Sequence, residues 1–457
     1  MSNKKLFGTS GIRGKIKTEI TCDLALNIGR SLGTYLKNNG KVVIGYDTRT
    51  TNQMLDEAIT AGLLETGIDV LKIGMVPTPL VGYATEKLGA DAGVMITASH
   101  NPSPYNGIKL WNKNGMAYTS LQESEIEEIY NDKSYKLSEW DQIGTIHFVE
   151  EIKQSYIDDL LDLVNIKPGL KVVIDAACGA GSEISPLVFR KAGCEVITLN
   201  SQADGFFPGR NPEPNEKNLD SLMKTVVATG ADIGIAHDGD ADRMITVDEL
   251  GNVSPFDSLL VLISKTFEGK IVTTVDAGMS MDEVIKGVGG EVLRTKVGDV
   301  NVAEVIIDED ASFGGEPSGT WLHPDFCMCP DGILSGLRIV ELVSKEGKLS
   351  ELLKTIPQYP GHREKIECSK EAKIEVMKNM ESILVNEFSD IEEVNNIDGV
   401  RLTFNDGSWV LIRPSGTEDY VRITLEGTNQ ERADSICATC KRIIEDNIFK
   451  KFKISNI

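Results

Sequence analysis

A short phrase recurs three times along this chain: Lys41-Val42-Val43-Ile44, Lys171-Val172-Val173-Ile174 and Lys270-Ile271-Val272-Thr273. Each is a β-branched run of the kind that fits a pleated sheet. Each soon meets an aspartate (Asp47, Asp175, Asp276) and is followed by a helical pattern, clearest over 52–66. Strand then helix, repeated, builds α/β units on a mostly parallel sheet, so the recurrence predicts three related α/β domains in tandem. Beyond 367 the pattern changes. Residues 401–404, the turn Asn405-Asp406-Gly407 and residues 408–412 read as an antiparallel hairpin; 420–425 adds a strand and 430–446 a helix. The fold class is therefore α/β, with three tandem related domains on mostly parallel mixed sheets and a C-terminal α+β domain. A polar stretch (131–143), a hairpin-like segment (244–253) and a charged, proline-containing stretch (357–367) mark the joints, which places the domains at 1–148, 149–253, 254–364 and 365–457.

The chain has 457 residues, 41% of them apolar and 25% charged, so ordinary cores need no metal or disulfide staples. The formal charge of −22 argues against nucleic acid or an anionic membrane as partner. An anionic substrate would have to be held by a few arginines and backbone amides against that field. Among the eight cysteines only Cys437-x-x-Cys440 has zinc or redox spacing, and it lies alone in a helical run. Neither a signal-type N-terminal stretch nor an apolar run of membrane-spanning length is present, so the expected location is the cytoplasm.

Four loops carry candidate chemistry. Thr97-Ala98-Ser99-His100-Asn101-Pro102 follows the apolar run 92–96. Ser99 thus sits at the carboxyl end of a strand, where open α/β sheets bind ligands and a serine hydroxyl can act as nucleophile. Asp238-Gly239-Asp240-Ala241-Asp242-Arg243 sets three carboxylates at alternate positions; they repel unless a cation or protons neutralise them. The all-oxygen set favours Mg²⁺, Mn²⁺ or Ca²⁺. An EF-hand would share the spacing Asp238, Asp240, Asp242, Glu249, but its glycine position is Arg243 and the preceding residues read as strand. In Gly314-Gly315-Glu316-Pro317-Ser318-Gly319, Glu316 and Ser318 suit a ring of sugar hydroxyls. Arg413-Pro414-Ser415-Gly416-Thr417 forms a plausible anion nest. Each loop, taken singly, could equally be a polar turn. Arg13 on a glycine-rich segment, Lys109 ten residues past Ser99, and His100 and His237 beside the two polar loops complete the candidates; no P-loop or dinucleotide fingerprint is present.

Together these residues make the chain resemble the α-D-phosphohexomutases along essentially its whole length. The resemblance implies four domains around a central cleft, each giving one loop. It implies that Ser99 carries a phosphoryl group, and that Ser99, Asp238, Asp240 and Asp242 hold one Mg²⁺. Glu316 and Ser318 would read the sugar, while Arg413, Ser415, Gly416 and Thr417 grip its phosphate. Arg13, His100, Lys109 and Arg243 would line the phosphoserine site, with Lys296 in Thr295-Lys296-Val297-Gly298-Asp299 near the substrate. Lys109, His100 and Lys296 are candidate bases. The implied reaction interconverts 6-phosphate and 1-phosphate sugars through a sugar 1,6-bisphosphate, which also serves as activator. Where many family members have a histidine after the sugar loop, this chain has Thr320-Trp321, as in the archaeal phosphoglucosamine mutases. That points to glucosamine phosphate, with hexose and pentose phosphates as alternatives. A serine phosphatase is the rival of another class, but it needs no second phosphate grip. The oligomeric state, from monomer to small homo-oligomer, stays open.

Overall fold

The computed structural model describes residues 6–8, 10–415 and 419–452, which form four sheets. The first holds β1 (Ile12–Lys15), β2 (Lys41–Tyr46), β3 (Asp69–Met75), β4 (Ala92–Ile96), β5 (Tyr105–Asn112) and β6 (Ile146–Phe148), in the order β1-β5-β4-β2-β3-β6. The second holds β7 (Lys171–Asp175), β8 (Glu195–Leu199), β9 (Ile233–His237) and β10 (Met244–Asp248), ordered β10-β9-β7-β8. The third holds β11 (Lys270–Thr274), β12 (Glu291–Thr295), β13 (Phe313–Gly315) and β14 (Trp321–Leu322), ordered β12-β11-β13-β14.

The three lysine-led runs are β2, β7 and β11, and they occupy the same place in each sheet. Each pairs in parallel with the next strand on one side and with the third strand on the other; the third strand then pairs antiparallel with a fourth. The sequence recurrence is thus one topology used three times. In β2, Val43 faces one apolar cluster while Val42 and Ile44 face another, which is why the run is apolar without alternation.

This topology positions the site. Between the second and third strands the chain crosses back over the first, so the loop leaving the carboxyl end of the third strand lies at the switch point of the sheet. Those loops are residues 97–104, 238–243 and 316–320. They are the three loops singled out in the first three domains.

The fourth sheet is wholly antiparallel: β15 (Gly361–Glu367), β16 (Ile391–Asn395), β17 (Val400–Phe404), β18 (Trp409–Pro414) and β19 (Tyr420–Glu426), ordered β15-β19-β18-β17-β16. Here the charged stretch 357–367, read from sequence as a joint, includes a seven-residue strand paired along its length with β19. The placement of a boundary after 364 therefore cuts a strand. The charges mislead because β15 is an edge strand, and edge strands carry charge to discourage further pairing. Likewise 131–143 does not leave the first domain: the chain returns to add β6 beside β3.

One apolar cluster runs continuously through the first three domains, from Val43 and Trp111 through Tyr156 and Ile235 to Leu260 and Trp321. The fourth domain has its own core around Phe404, Val421 and Ile436. It touches the third through a small patch, Val275 and Met279 against Trp409 and Leu411. Glu426 adds a polar latch there, accepting from Met279 N (2.6 Å) and Trp409 Nε1 (3.1 Å). A Cβ at Gly278 would lie 2.5 Å from the Glu426 carboxylate and would push it off this latch. Among the described residues no helix is long and apolar enough to cross a membrane.

Candidate active site

Ser99 leaves β4 in a left-handed conformation (φ 50°), uncommon for a residue with a Cβ. A network behind the loop imposes it. Thr97 Oγ1 accepts from Ser99 N (2.8 Å) and donates to Asp47 Oδ2 (2.6 Å). Asp47 pairs with Arg49 at 3.0 Å, both side chains fully buried. The Arg49 guanidinium donates to the carbonyls of Ser99, Asn101, Pro102 and Tyr105 at 2.6–2.9 Å. The second domain repeats the device: Arg210 lies 3.0 Å from Asp175 and donates to the carbonyl of His237, the residue before the acidic loop. In the first two domains the aspartate at the end of the repeated strand thus holds an arginine that clamps the loop.

The two clamped loops meet. Gly239 faces Ser99 so closely that a Cβ would lie 2.5 Å from the Ser99 carbonyl. Its missing side chain therefore serves this approach of the loops. Ser99 Oγ donates to Asp238 Oδ2 at 2.8 Å, 139 residues away in sequence. Asp238, Asp240 and Asp242 are buried, and each offers a carboxylate oxygen within 4.8 Å of the others. Lys109 on β5 donates to Asp240 (2.8 Å) and Asp242 (2.7 Å), and Thr78 donates to Asp240 (2.7 Å).

The electrostatics are those of a site short of positive charge. Burial, then Asp242 and Asp240, push the Asp238 carboxyl well above the usual range. Burial also works against Asp240, but Lys109 and Thr78 hold it below that range. One oxygen each of Asp240 and Asp242 is buried without a hydrogen-bond partner. Unsatisfied buried carboxylate oxygens are costly, and this all-oxygen set fits a small divalent cation such as Mg²⁺.

His100 Nδ1 lies 3.2 Å from Ser99 Oγ, and its Nε2 lies 3.4 Å from Glu213. Burial, then Arg243 and Arg13, push its pKa down to about 3, so the ring is neutral at physiological pH. Burial opposes the Lys109 ammonium, yet Asp240 and Asp242 hold it above the ordinary lysine value; in this arrangement it is a counter-charge. Arg13 donates to Ser10 Oγ (2.9 Å), and the Nε atoms of Arg13 and Arg243 are buried without hydrogen-bond partners.

A cavity of about 510 Å³ opens beside this cluster, lined by all four domains. Asp242 and Arg243 form one wall; Asp276, Asp299, Glu316 and Ser318 of the third domain form another. Arg413 and Ser415 face them from the fourth, with Arg363, Lys365 and Arg422. Glu316 accepts from Gly298 N at 2.6 Å; burial, then Asp299 and Asp276, raise its pKa to about 7. In the fourth sheet Lys365 stands opposite Arg422, and Arg422 opposite Arg413. Like charges directly across strands destabilise a sheet, so this cationic row suits an anion.

Models of all four domains of one family match in order: phosphoglucomutase/phosphomannomutase alpha/beta/alpha domain I over 4–136, domain II over 151–251, domain III over 256–359 and the C-terminal domain over 365–442. The chain belongs to the phosphoglucomutase/phosphomannomutase family. A protein of Methanobrevibacter smithii named probable phosphoglucosamine mutase is 74% identical over 98% of this chain and 100% of its own length. One of the same name from Methanothermobacter thermautotrophicus is 57% identical over 98% of this chain. The crystal structure of a phosphoglucomutase/phosphomannomutase family protein from Burkholderia thailandensis superposes with a TM-score of 0.87 at 27% identity, covering 98% of each chain. The protein is a phosphosugar mutase, an isomerase of the phosphohexomutase class.

In this phosphohexomutase the structure brings Ser99, His100, Lys109, Asp238, Asp240, Asp242 and Arg243 into one cluster. Glu316, Ser318, Arg413 and Ser415 line the adjoining cavity. Gly416 and Thr417 lie outside the described residues. Lys296 is exposed and does not itself line this cavity; its neighbours Val297, Gly298 and Asp299 do. The acidic loop joins two antiparallel strands and Glu249 bonds Ser350 (2.6 Å), so no EF-hand forms. His237 is a neutral core residue, its pKa lowered to about 4 by burial and its Nε2 2.8 Å from Ser185 Oγ. Cys437 and Cys440 are buried in the helix Gln430–Phe452; His362 and Glu364, the metal-type neighbours of Cys437, pair with Asp434 and Lys441. Sequence reasoning missed Arg49, Arg210, Lys365 and Arg422, and named Asp299 only as part of the segment that carries Lys296. Only the strand-end aspartates hinted at the first two.

Proposed function

We propose that this phosphohexomutase interconverts glucosamine 6-phosphate and glucosamine 1-phosphate through a phosphoserine at Ser99 and a bound sugar 1,6-bisphosphate, in the cytoplasm. The observation that carries the reading is the Ser99 hydroxyl on Asp238, beside a cavity whose far wall is a row of cations. A phosphatase would need the first half of that arrangement only. The names of the relatives support glucosamine. So does the third-domain wall: Asp276, Asp299 and Glu316 supply negative charge that suits the ammonium of an amino sugar over a neutral hydroxyl.

Phosphoryl transfer depends on in-line positioning and neutralised charge more than on covalent help. Asp238, Asp240 and Asp242 would hold Mg²⁺ against the Ser99 phosphoryl group, where the ion supplies charge neutralisation. Arg13, Arg243 and Lys109 bring further positive charge to the same group. The proton that the attacking sugar hydroxyl gives up has to reach Ser99 Oγ as the phosphoryl group departs; His100, neutral and 3.2 Å from that atom, is the neighbour that can take the proton up and hand it on, while Asp238 stays ionised as a metal ligand. The sugar hydroxyl takes that group while Arg413 and Ser415, with Gly416 and Thr417, grip the phosphate already present. The bisphosphate then turns end for end, and the same grip serves either end.

Across a panel of glucosamine, glucose, mannose and pentose phosphates, kcat/KM is expected to be at least about tenfold higher for glucosamine 6-phosphate, the worth of one good charge interaction. Equal or better turnover of a neutral sugar would overturn the substrate assignment, and release of inorganic phosphate in place of an isomer would overturn the reaction. The second expectation concerns pH. With a pKa near 7, Glu316 is mostly protonated one unit lower. KM for glucosamine 6-phosphate should therefore rise as pH falls from 8 to 6, by up to about tenfold. Glu316→Gln should flatten that part of the profile, leaving the titrations of the substrate's own phosphate and amino groups. An unchanged slope in Glu316→Gln would remove Glu316 from sugar recognition.

A further inference from the structure

Asp398 lies in the turn before β17, outside every loop that the sequence singled out. Its Oδ2 accepts from Arg413 Nη1 at 2.9 Å and, across the domain boundary, from the backbone N of Val297 at 3.2 Å. The next amide, Gly298 N, donates to Glu316 at 2.6 Å. Two adjacent amides of the third domain are thus spent on two carboxylates, one behind the arginine of the phosphate grip and one on the sugar loop. The backbone is shaped for this. Gly399 has φ 89°, and a Cβ there would lie 2.4 Å from the Ile412 carbonyl and 3.0 Å from the Arg413 Cα. Only glycine lets the Asp398 turn sit this close to β18. The fourth domain shares little apolar contact with the third, so polar ties of this kind weigh heavily in its orientation.

We propose that Asp398 is a positioning residue that aims the Arg413 guanidinium into the cavity and couples the phosphate grip of the fourth domain to the third, through the Val297-Gly298 turn that holds Glu316 of the sugar loop. It occupies one edge of the guanidinium and orients the planar fork for the substrate phosphate. It acts through Arg413 and touches no reacting atom. The inference rests on the reading that Arg413 grips the substrate phosphate.

The test is a double-mutant cycle on the full chain, assayed with the best sugar phosphate of the panel. Asp398→Ala should raise KM about tenfold, the scale of one charge-assisted hydrogen bond, with kcat changed less than about threefold. Arg413→Ala should raise KM further, and adding Asp398→Ala to it should then do nothing more, because contacting residues that act as a unit are non-additive. Asp398→Asn, which keeps the shape and an acceptor oxygen, should recover part of the KM loss, and thermal unfolding of the variants unchanged from wild type shows that the effect is not a folding defect. If Arg413→Ala itself leaves KM unchanged, the phosphate-grip reading fails. If Arg413→Ala impairs binding but Asp398→Ala matches wild type, or the two effects add, the positioning role of Asp398 is overturned.

Discussion

Ser99→Ala is expected to lower mutase turnover by at least about 10³-fold while leaving KM for the sugar phosphate within a few-fold of wild type, because it removes the proposed phosphoryl carrier but none of the groups proposed to grip the substrate. The loss will not reflect unfolding. Ser99 holds a left-handed φ of 50° that alanine tolerates about as well as serine. Ser99→Gly makes the control sharper: glycine adopts that conformation without strain, so this variant should be at least as stable as wild type and equally inactive. Turnover above about a tenth of wild type in either variant would mean that another group carries the phosphoryl.

The second large effect is structural. Arg49→Met should destabilise the first domain by about 3–5 kcal/mol, the cost of leaving one member of a buried ion pair alone. Asp47 and Arg49 are both fully buried, and the same guanidinium satisfies four loop carbonyls, so one substitution strands an acid and four acceptors. Arg49→Lys should rescue little, since an ammonium cannot span the fork. Asp47→Asn added to Arg49→Met should recover part of the loss by removing the orphaned charge. Thermal or denaturant unfolding reads the effect. A loss below about 1 kcal/mol would show that the network does not hold the Ser99 loop.

These two predictions differ in how far the sequence foretold them. Ser99, the three aspartates and Glu316 were legible because each lies in a compact loop after a strand, and loop chemistry is written in consecutive residues; Arg413, at the end of β18, was legible from the loop that follows it. The threefold α/β plan was legible because β2, β7 and β11 are buried on both faces and so spell the same apolar phrase. Arg49 and Arg210 were not, because a buried arginine looks like any other until its partners are known, and Arg210 lies 35 residues from Asp175. Strand β15 was hidden because its alternation is among polar and charged residues: Arg363 and Lys365 are exposed toward the cavity, while the half-buried His362 and Glu364 pair with Asp434 and Lys441 of the C-terminal helix. Lys296 lies on the segment that reaches the cavity, but its side chain is exposed while Val297, Gly298 and Asp299 line the wall, a turn that the sequence does not show. The Asp398 tie was invisible for a further reason: its partner Val297 contributes a backbone amide, which every sequence contains everywhere.

Phosphoryl occupancy of residue 99 tests the central claim most directly. The purified protein is incubated with Mg²⁺ and a glucosamine or glucose 1,6-bisphosphate labelled in phosphate, then analysed by intact mass and by mapping of the labelled peptide. The account predicts a population one phosphoryl group heavier, with the label on Ser99 and discharged onto added sugar monophosphate to give bisphosphate. An unlabelled Ser99 under conditions in which the same preparation isomerises its substrate would contradict it.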